Sequence, residues 1–225
     1  MKGYYTQKLS AERLQRCYEV ATPRVEQYLQ SEIQHVLDRI TSEDLVVELG
    51  CGYGRVMKSM CDQAKVVVGV DTSPQNIEYG HRYLKGYRNY RLCRMNASDL
   101  TFPDEFFDAV VCIQNGICAF HEDKKTLLAE STRVTRNGGT VLYSSYSQRF
   151  WDERLRWFYL QAEEGLLGEI DEAKTGNGII VCKDGFTVTT QSPEGFQSLV
   201  SDLGLRCRIT EVDESSIFCE IAVKR

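Results

Sequence analysis

The sequence predicts an α/β protein built on a doubly wound, mostly parallel seven-stranded sheet with an antiparallel last strand. Three observations carry that prediction. Aliphatic runs with little polar alternation ("DLVVELG", "AKVVVGVD", "FDAVVCIQN", "TVLYSSYS") recur along the chain, as strands buried on both faces require. Helical patterns separate them, the alternation that yields a parallel sheet covered by helices. The last two apolar runs, "LRCRITEVD" and "SIFCEIAVKR", are joined by a turn too short for a crossover, so they pair antiparallel.

The elements follow in order. Residues 1–40 read as an N-terminal helical cap. Tyr28, Leu29, Ile33, Val36, Leu37 and Ile40 fall at spacings of three and four, which buries one helix face. Thr22-Pro23, Ser73-Pro74 and Ser192-Pro193 each pair a capping hydroxyl with a proline suited to the first helical turn, so they mark helix starts. Strand 1 ends in "ELG"; helices follow over Tyr53 to Gln63 and Pro74 to Leu84. "YRLCRMN" is a third strand. "HEDKKTLLAESTRVTR" reads as a helix ended by Asn137-Gly138-Gly139 before strand 5. Residues 148–190 break the rhythm and read as a lid-like insertion after that strand, with an aromatic helix and a hairpin turning at Lys183-Asp184-Gly185. The alternation then resumes, so residues 1–225 read as one domain.

Composition bounds the function. A formal charge of −5 argues against a broad nucleic-acid footprint, which would be basic. The N-terminus lacks a signal-peptide core, and no apolar run approaches the roughly 18 residues of a membrane span, so a soluble, cytoplasmic protein is expected. Nine cysteines, an odd number without a Cys-x-x-Cys pair, read as buried free thiols and not as a metal site.

The stretch "VVELGCGYGR" sets glycines at Gly50, Gly52 and Gly54 behind Glu48. No Gly-Lys-Ser/Thr follows, which removes a phosphate-binding P-loop. A dinucleotide fingerprint would need a third glycine where Arg55 stands. A carboxylate ending strand 2, Asp71, suits a ribose diol in either cofactor class.

Together with "VVVGVDTS", "MNASDLTF" and "RVTRNGGTVLYSS", the loop resembles motif I of the class I S-adenosylmethionine-dependent methyltransferases over about Leu45 to Tyr146. The resemblance implies a Rossmann-like fold, S-adenosyl-L-methionine as cofactor and methyl transfer as activity. It implies that Gly50, Cys51, Gly52 and Gly54 wrap the methionine half and that Glu48 orients the loop or the cofactor's ammonium. Asp71 would take the ribose, with Thr72 beside the adenosine. Asn96 stands where the family often has aspartate to read the adenine amine, followed by Ala97 and Ser98, with Ser98 or Asp99 as further participants. Gln114 and Asn115, beyond strand 4, would lie near the methyl group. The absence of an Asn/Asp-Pro-Pro-Tyr segment disfavours base-amine and glutamine acceptors.

The expected reaction joins a nucleophile on a small molecule to the methyl group. His121 and Tyr5 are the candidate catalytic residues, although His121 better suits a polar or capping residue that opens the next helix. His35 and His81 read as surface residues, and Glu153, Glu163 and Glu164 as solvated helix charges. Tyr4 and Tyr5 could close over the cofactor or serve as an apolar anchor. Phe150, Trp151, Trp157, Phe158 and Tyr159 suit a lid, a pocket wall holding a cationic acceptor, the insertion's own core or a homodimer contact. A protein or RNA methyltransferase, a nicotinamide-dependent oxidoreductase and a non-catalytic partner subunit are the alternatives.

Overall fold

The computed structural model describes residues 3–4 and 8–224. Valine-rich runs buried on both faces build the sheet: Val46 and Val47 in β1 (Leu45–Leu49), Val67 in β2 (Val66–Asp71), Val110 and Val111 in β4 (Phe107–Cys112) are all fully buried. With β3 (Tyr90–Arg94) and β5 (Thr135–Tyr146) these strands run parallel. Strand β9 (Ser216–Ala222) lies antiparallel between β5 and β8 (Arg208–Val212). The order is β3-β2-β1-β4-β5-β9-β8, and the sheet is seven-stranded and mostly parallel with an antiparallel last strand, as the sequence predicts. A two-stranded hairpin, β6 (Ile180–Val181) and β7 (Thr187–Val188), stands apart in the insertion.

Helices cover both faces. On one, Ile33 and Val36 of α2 (Pro23–Leu37) and Val56, Met57 and Met60 of α3 (Arg55–Cys61) pack against Val46, Val67, Val111 and Phe218. On the other, α6 (Lys124–Val134) and α8 (Pro193–Ser201) bring Leu127, Leu128, Phe196 and Val200 against Val47, Val110, Val141 and Ile221. The remaining helices are α1 (Glu12–Glu19), α4 (Pro74–Tyr83), α5 (Gly116–Ala119) and α7 (Trp151–Glu163). All three predicted caps form: Thr22, Ser73 and Ser192 hydroxyls accept from the amides of Val25, Asn76 and Gly195 at 3.3, 3.2 and 3.1 Å.

A third apolar cluster joins the N-terminal cap to the insertion. Cys17, Tyr28 and Leu29 share it with Tyr146, Phe150, Trp157, Phe158, Phe186 and Val188. The Trp157 indole donates to the Cys17 carbonyl at 2.8 Å. Phe150, Trp157 and Phe158, at 1%, 5% and 5% exposure, are buried within the chain itself.

Two expectations need correction. Helix α6 stops at Val134, and Asn137-Gly138-Gly139 lies inside the first turn of β5, where the register with β4 shifts between Phe107 and Ala109. Gly138 sits at φ 80°, and a Cβ on Gly139 would come within 2.7 Å of the Asp108 carbonyl. The glycines serve a bulge, not a helix end. His35 is not on the surface: it is buried against Phe218, ring centroids 4.0 Å apart, with Nε2 3.1 Å from Glu220 Oε1. His81 is exposed, as expected.

Candidate active site

Strands β1 and β4 are neighbours from which the chain departs in opposite directions along the sheet, the switch point where open α/β sheets hold ligands. The loop after β1 turns there through left-handed glycines, φ 73° at Gly50, 54° at Gly52 and 92° at Gly54. A side chain would also collide: a Cβ on Gly50 would lie 2.4 Å from the Phe120 ring. The loop is tied to the end of β2. Gly50 and Cys51 amides donate to the Val70 carbonyl at 2.8 and 3.0 Å, and the Gly52 amide donates to Asp71 Oδ2 at 2.9 Å.

Asp71 is therefore an organising carboxylate. Its Oδ1 also accepts from the Ser73 amide at 2.8 Å and the Asn76 side-chain amide at 3.2 Å. Burial pushes its carboxyl up from the ordinary value, while these donors pull it back down.

The loop opens onto a cavity of about 490 Å³. Glu48, Gly50, Cys51, Gly52, Asp71, Thr72, Asn96, Ala97, Gln114 and His121 line it, as do the aromatics Tyr4, Tyr18, Phe120, Tyr146, Trp157, Phe158 and Phe186. Four buried polar atoms on its wall have no hydrogen-bond partner: Glu48 Oε2, Arg55 Nε and Nη2, and Gln114 Nε2. Leaving such atoms unpaired in a buried site costs free energy, so their convergence marks a place shaped for a polar ligand. Burial pushes Glu48 up to about 8, with the Arg55 charge opposing and the Asp71 charge reinforcing the shift.

Three expected cofactor residues do not line the cavity. Gly54 caps α3 just ahead of Arg55, and a Cβ there would meet Leu84 Cδ1 at 2.7 Å, so its role is packing. Asn115 is turned inward: its amide donates to the Thr189 carbonyl at 2.8 Å and its oxygen accepts from the Ser145 hydroxyl at 2.7 Å, fastening the insertion to β5. Ser98 folds back onto Asn96, donating from its amide and hydroxyl to Asn96 Oδ1 at 3.0 and 2.9 Å. Both lone-pair directions of that oxygen are thereby used, which weakens Asn96 as an adenine reader.

His121 lies on the wall at φ 54°, and α6 is capped by Asp123, so the helix-start role passes to its neighbour. Burial lowers its pKa, which keeps the imidazole neutral at pH 7. Tyr5 lies outside the described residues. Tyr4 is buried against Phe186, ring centroids 5.0 Å apart, and donates to Asp184 Oδ2 at 2.7 Å, which ties Tyr4 to the insertion hairpin. Glu153 and Glu164 are not merely solvated: Thr22 donates to Glu153 at 3.3 Å and Arg16 pairs with Glu164 at 3.0 Å.

Sequence reasoning missed Glu32. This α2 carboxylate is fully buried, accepting from the Gln114 amide at 2.9 Å and the Ser216 hydroxyl at 2.7 Å. The Ser144 hydroxyl, 2.8 Å from the Gln114 amide, completes the cluster. It holds Gln114 at φ 56°, a conformation glutamine rarely adopts. The available signal was its spacing: residue 32 falls on the same helical face as Tyr28, Leu29 and Ile33. Burial raises Glu32 to about 7. Its contribution to stability is therefore complete below the ordinary carboxylate range and lost as pH rises through about 7. Glu32→Ala strands the Ser216 donor and leaves the Gln114 amide on Ser144 alone, so denaturant unfolding should show a loss of roughly 2–4 kcal/mol; a change within 0.5 kcal/mol, on the same order as an ordinary surface substitution, would contradict this role.

Comparisons with known proteins agree with this geometry. Residues 46–139 match the family described as "Methyltransferase domain". The demethylmenaquinone methyltransferase of Tropheryma whipplei (strain Twist) is 26% identical over 111 residues, 48% of this chain and 44% of that protein. That of Geobacillus stearothermophilus is 34% identical over 108 residues, 46% and 45% of the two chains. This chain thus spans less than half the length of the curated relatives it matches. Among solved structures, the PH0226 protein of Pyrococcus horikoshii OT3 superposes over 100% of both chains with a TM-score of 0.68 at 18% identity, a likeness of fold. The sheet order, the left-handed glycine loop tied to Asp71 and the match over residues 46–139 make this chain similar to class I S-adenosylmethionine-dependent methyltransferases.

Proposed function

We propose that the cavity holds S-adenosylmethionine and that the chain transfers its methyl group to a nucleophile on a small molecule. The observation carrying this reading is the three-glycine loop pinned to Asp71, opening onto a cavity with unpartnered buried polar atoms at its loop end. The residues fit the cofactor's parts. Glu48 offers an unused acceptor to an ammonium group, Asp71 retains acceptor capacity for a ribose diol, and Thr72 and Ala97 border the adenosine side. The cofactor supplies an already activated sulfonium methyl. The protein's task is alignment and exclusion of water.

The aromatic walls perform that exclusion. Tyr18, Trp157, Phe158 and Phe186 come from the cap and the insertion, which act together as the lid over Tyr146 at the end of β5. Such walls suit a flat, uncharged ring compound, and the relatives named for demethylmenaquinone agree with that class. Where the nucleophile is a hydroxyl, neutral His121 accepts its proton. No helix among the described residues is long and apolar enough to cross a membrane.

Calorimetry tests the reading. Titration with S-adenosylmethionine and S-adenosylhomocysteine should give saturable binding, and titration with NAD none. Tight NAD binding with neither sulfur cofactor retained would end it. Transfer of labelled methyl into the low-mass fraction of a metabolite extract should then identify the acceptor; label confined to protein or RNA would reassign it.

A further inference from the structure

Arg55 carries two buried donors, Nε and Nη2, without partners, and its guanidinium lies 4.4 Å from the centre of the Tyr18 ring. The contact with Tyr18 holds the guanidinium in place and leaves Nε and Nη2 without partners. The Tyr18 hydroxyl in turn donates to Gln114 Oε1 at 3.1 Å, which turns the Gln114 amide so that Nε2 is left as a third unpartnered donor on the same wall. Beside these donors stands a single unused acceptor, Glu48 Oε2. Donors grouped about a fixed cation, next to one lone acceptor, form a receptor for a zwitterion. Its anionic end must be planar and able to take two hydrogen bonds, as a carboxylate is.

Resting on the methyltransferase reading, we propose that Arg55, oriented by Tyr18 and assisted by Gln114, binds the α-carboxylate of the cofactor's methionine half. The position that breaks the dinucleotide fingerprint is then itself a recognition residue. It lies at the first position of α3, directly after the loop that holds the rest of the amino acid. An acceptor substrate bearing a carboxylate could in principle use the same fork, so the test separates the two sources.

The test is calorimetric and needs no turnover. Wild-type protein is titrated with S-adenosylmethionine and with its decarboxylated analogue, which keeps the sulfonium, the adenosine and the amine. The expected preference for the parent cofactor is roughly 10- to 100-fold, the weight of a charge-assisted pair. Arg55→Met should erase that preference while leaving the decarboxylated analogue bound as well as before or better, because a repelling cation has gone. Arg55→Lys, which keeps the charge but not the fork, should fall between. Unchanged preference in Arg55→Met would overturn the proposal and send the fork to the acceptor. Equal loss of both ligands in Arg55→Met and Arg55→Lys would also overturn it, showing that Arg55 only supports Tyr18 and the cap. Wild-type protein that binds neither ligand would defeat the proposed function itself, and the proposal with it.

Discussion

Replacing Asp71 with alanine should weaken S-adenosylhomocysteine binding by at least about 100-fold, the loss expected when more than one hydrogen bond to a charged group disappears. The carboxylate meets three donors within the protein, the amides of Gly52 and Ser73 and the side chain of Asn76. It fixes the turn of the glycine loop through Gly52 and anchors the start of α4 through the other two. The ribose diol would add donors to the same acceptor-only group. Asp71→Asn is the informative companion. It preserves the volume but sets an NH₂ group against an N–H that needs an acceptor, so it should bind nearly as poorly as alanine. Affinity within threefold of wild type in either variant, on the order of 0.6 kcal/mol, would remove Asp71 from the ribose role.

The second large effect is a dependence of binding on pH set by Glu48. In the free protein burial holds this carboxyl at about 8, so at pH 7 it is mostly protonated. The groups facing it are Arg55, which favours the charged form, and Asp71, which opposes it. Tyr18, Cys51 and Cys112 are also within its influence but are themselves held neutral by burial. An ammonium delivered to Oε2 favours the carboxylate and lowers its pKa. Binding at pH 7 should therefore release close to one proton, and affinity should rise by up to about tenfold per pH unit between about 6 and 8. Titrations in buffers of different ionisation enthalpy read the proton directly. Glu48→Gln should abolish the release and flatten the profile. The folded-state shift has the opposite consequence for the free protein. Because the pKa is raised, the stabilisation is present below the ordinary carboxylate range and is lost as pH rises through about 8. The empty protein should then melt at a lower temperature at pH 9 than at pH 6, and ligand should narrow the difference.

Much of this site was legible in the sequence because its chemistry is local. A glycine that must adopt positive φ is marked wherever it stands, and three of them after "VVEL" locate the loop. The carboxylate ending the next strand locates Asp71. Serine or threonine before proline locates helix starts to the residue, because the cap and the fixed φ act within one turn. What stayed hidden depends on contacts between distant segments. Glu32 is 82 residues from the Gln114 amide it holds, and only the packing of α2 across the sheet brings them together. Arg55 reads as a mismatch in a glycine pattern until Tyr18, from the cap, is laid over it. Loop motifs also reveal which turn is at the site but not which atoms face inward. Asn115 follows Gln114 directly, yet the left-handed backbone at both residues sends its side chain to Ser145 and Thr189. Gly54 belongs to the motif but answers to Leu84. His35 looked like a polar residue on an amphipathic helix, and its partner Glu220 lies on the last strand.

The most direct measurement is a crystal structure with S-adenosylhomocysteine bound. The ribose diol should lie on Asp71, the amino group on Glu48, and the sulfur in front of Gln114, with the cap and insertion closed above it. An adenosine seated elsewhere, or a cavity filled by a different ligand while Asp71 keeps only its three internal donors, would contradict the account.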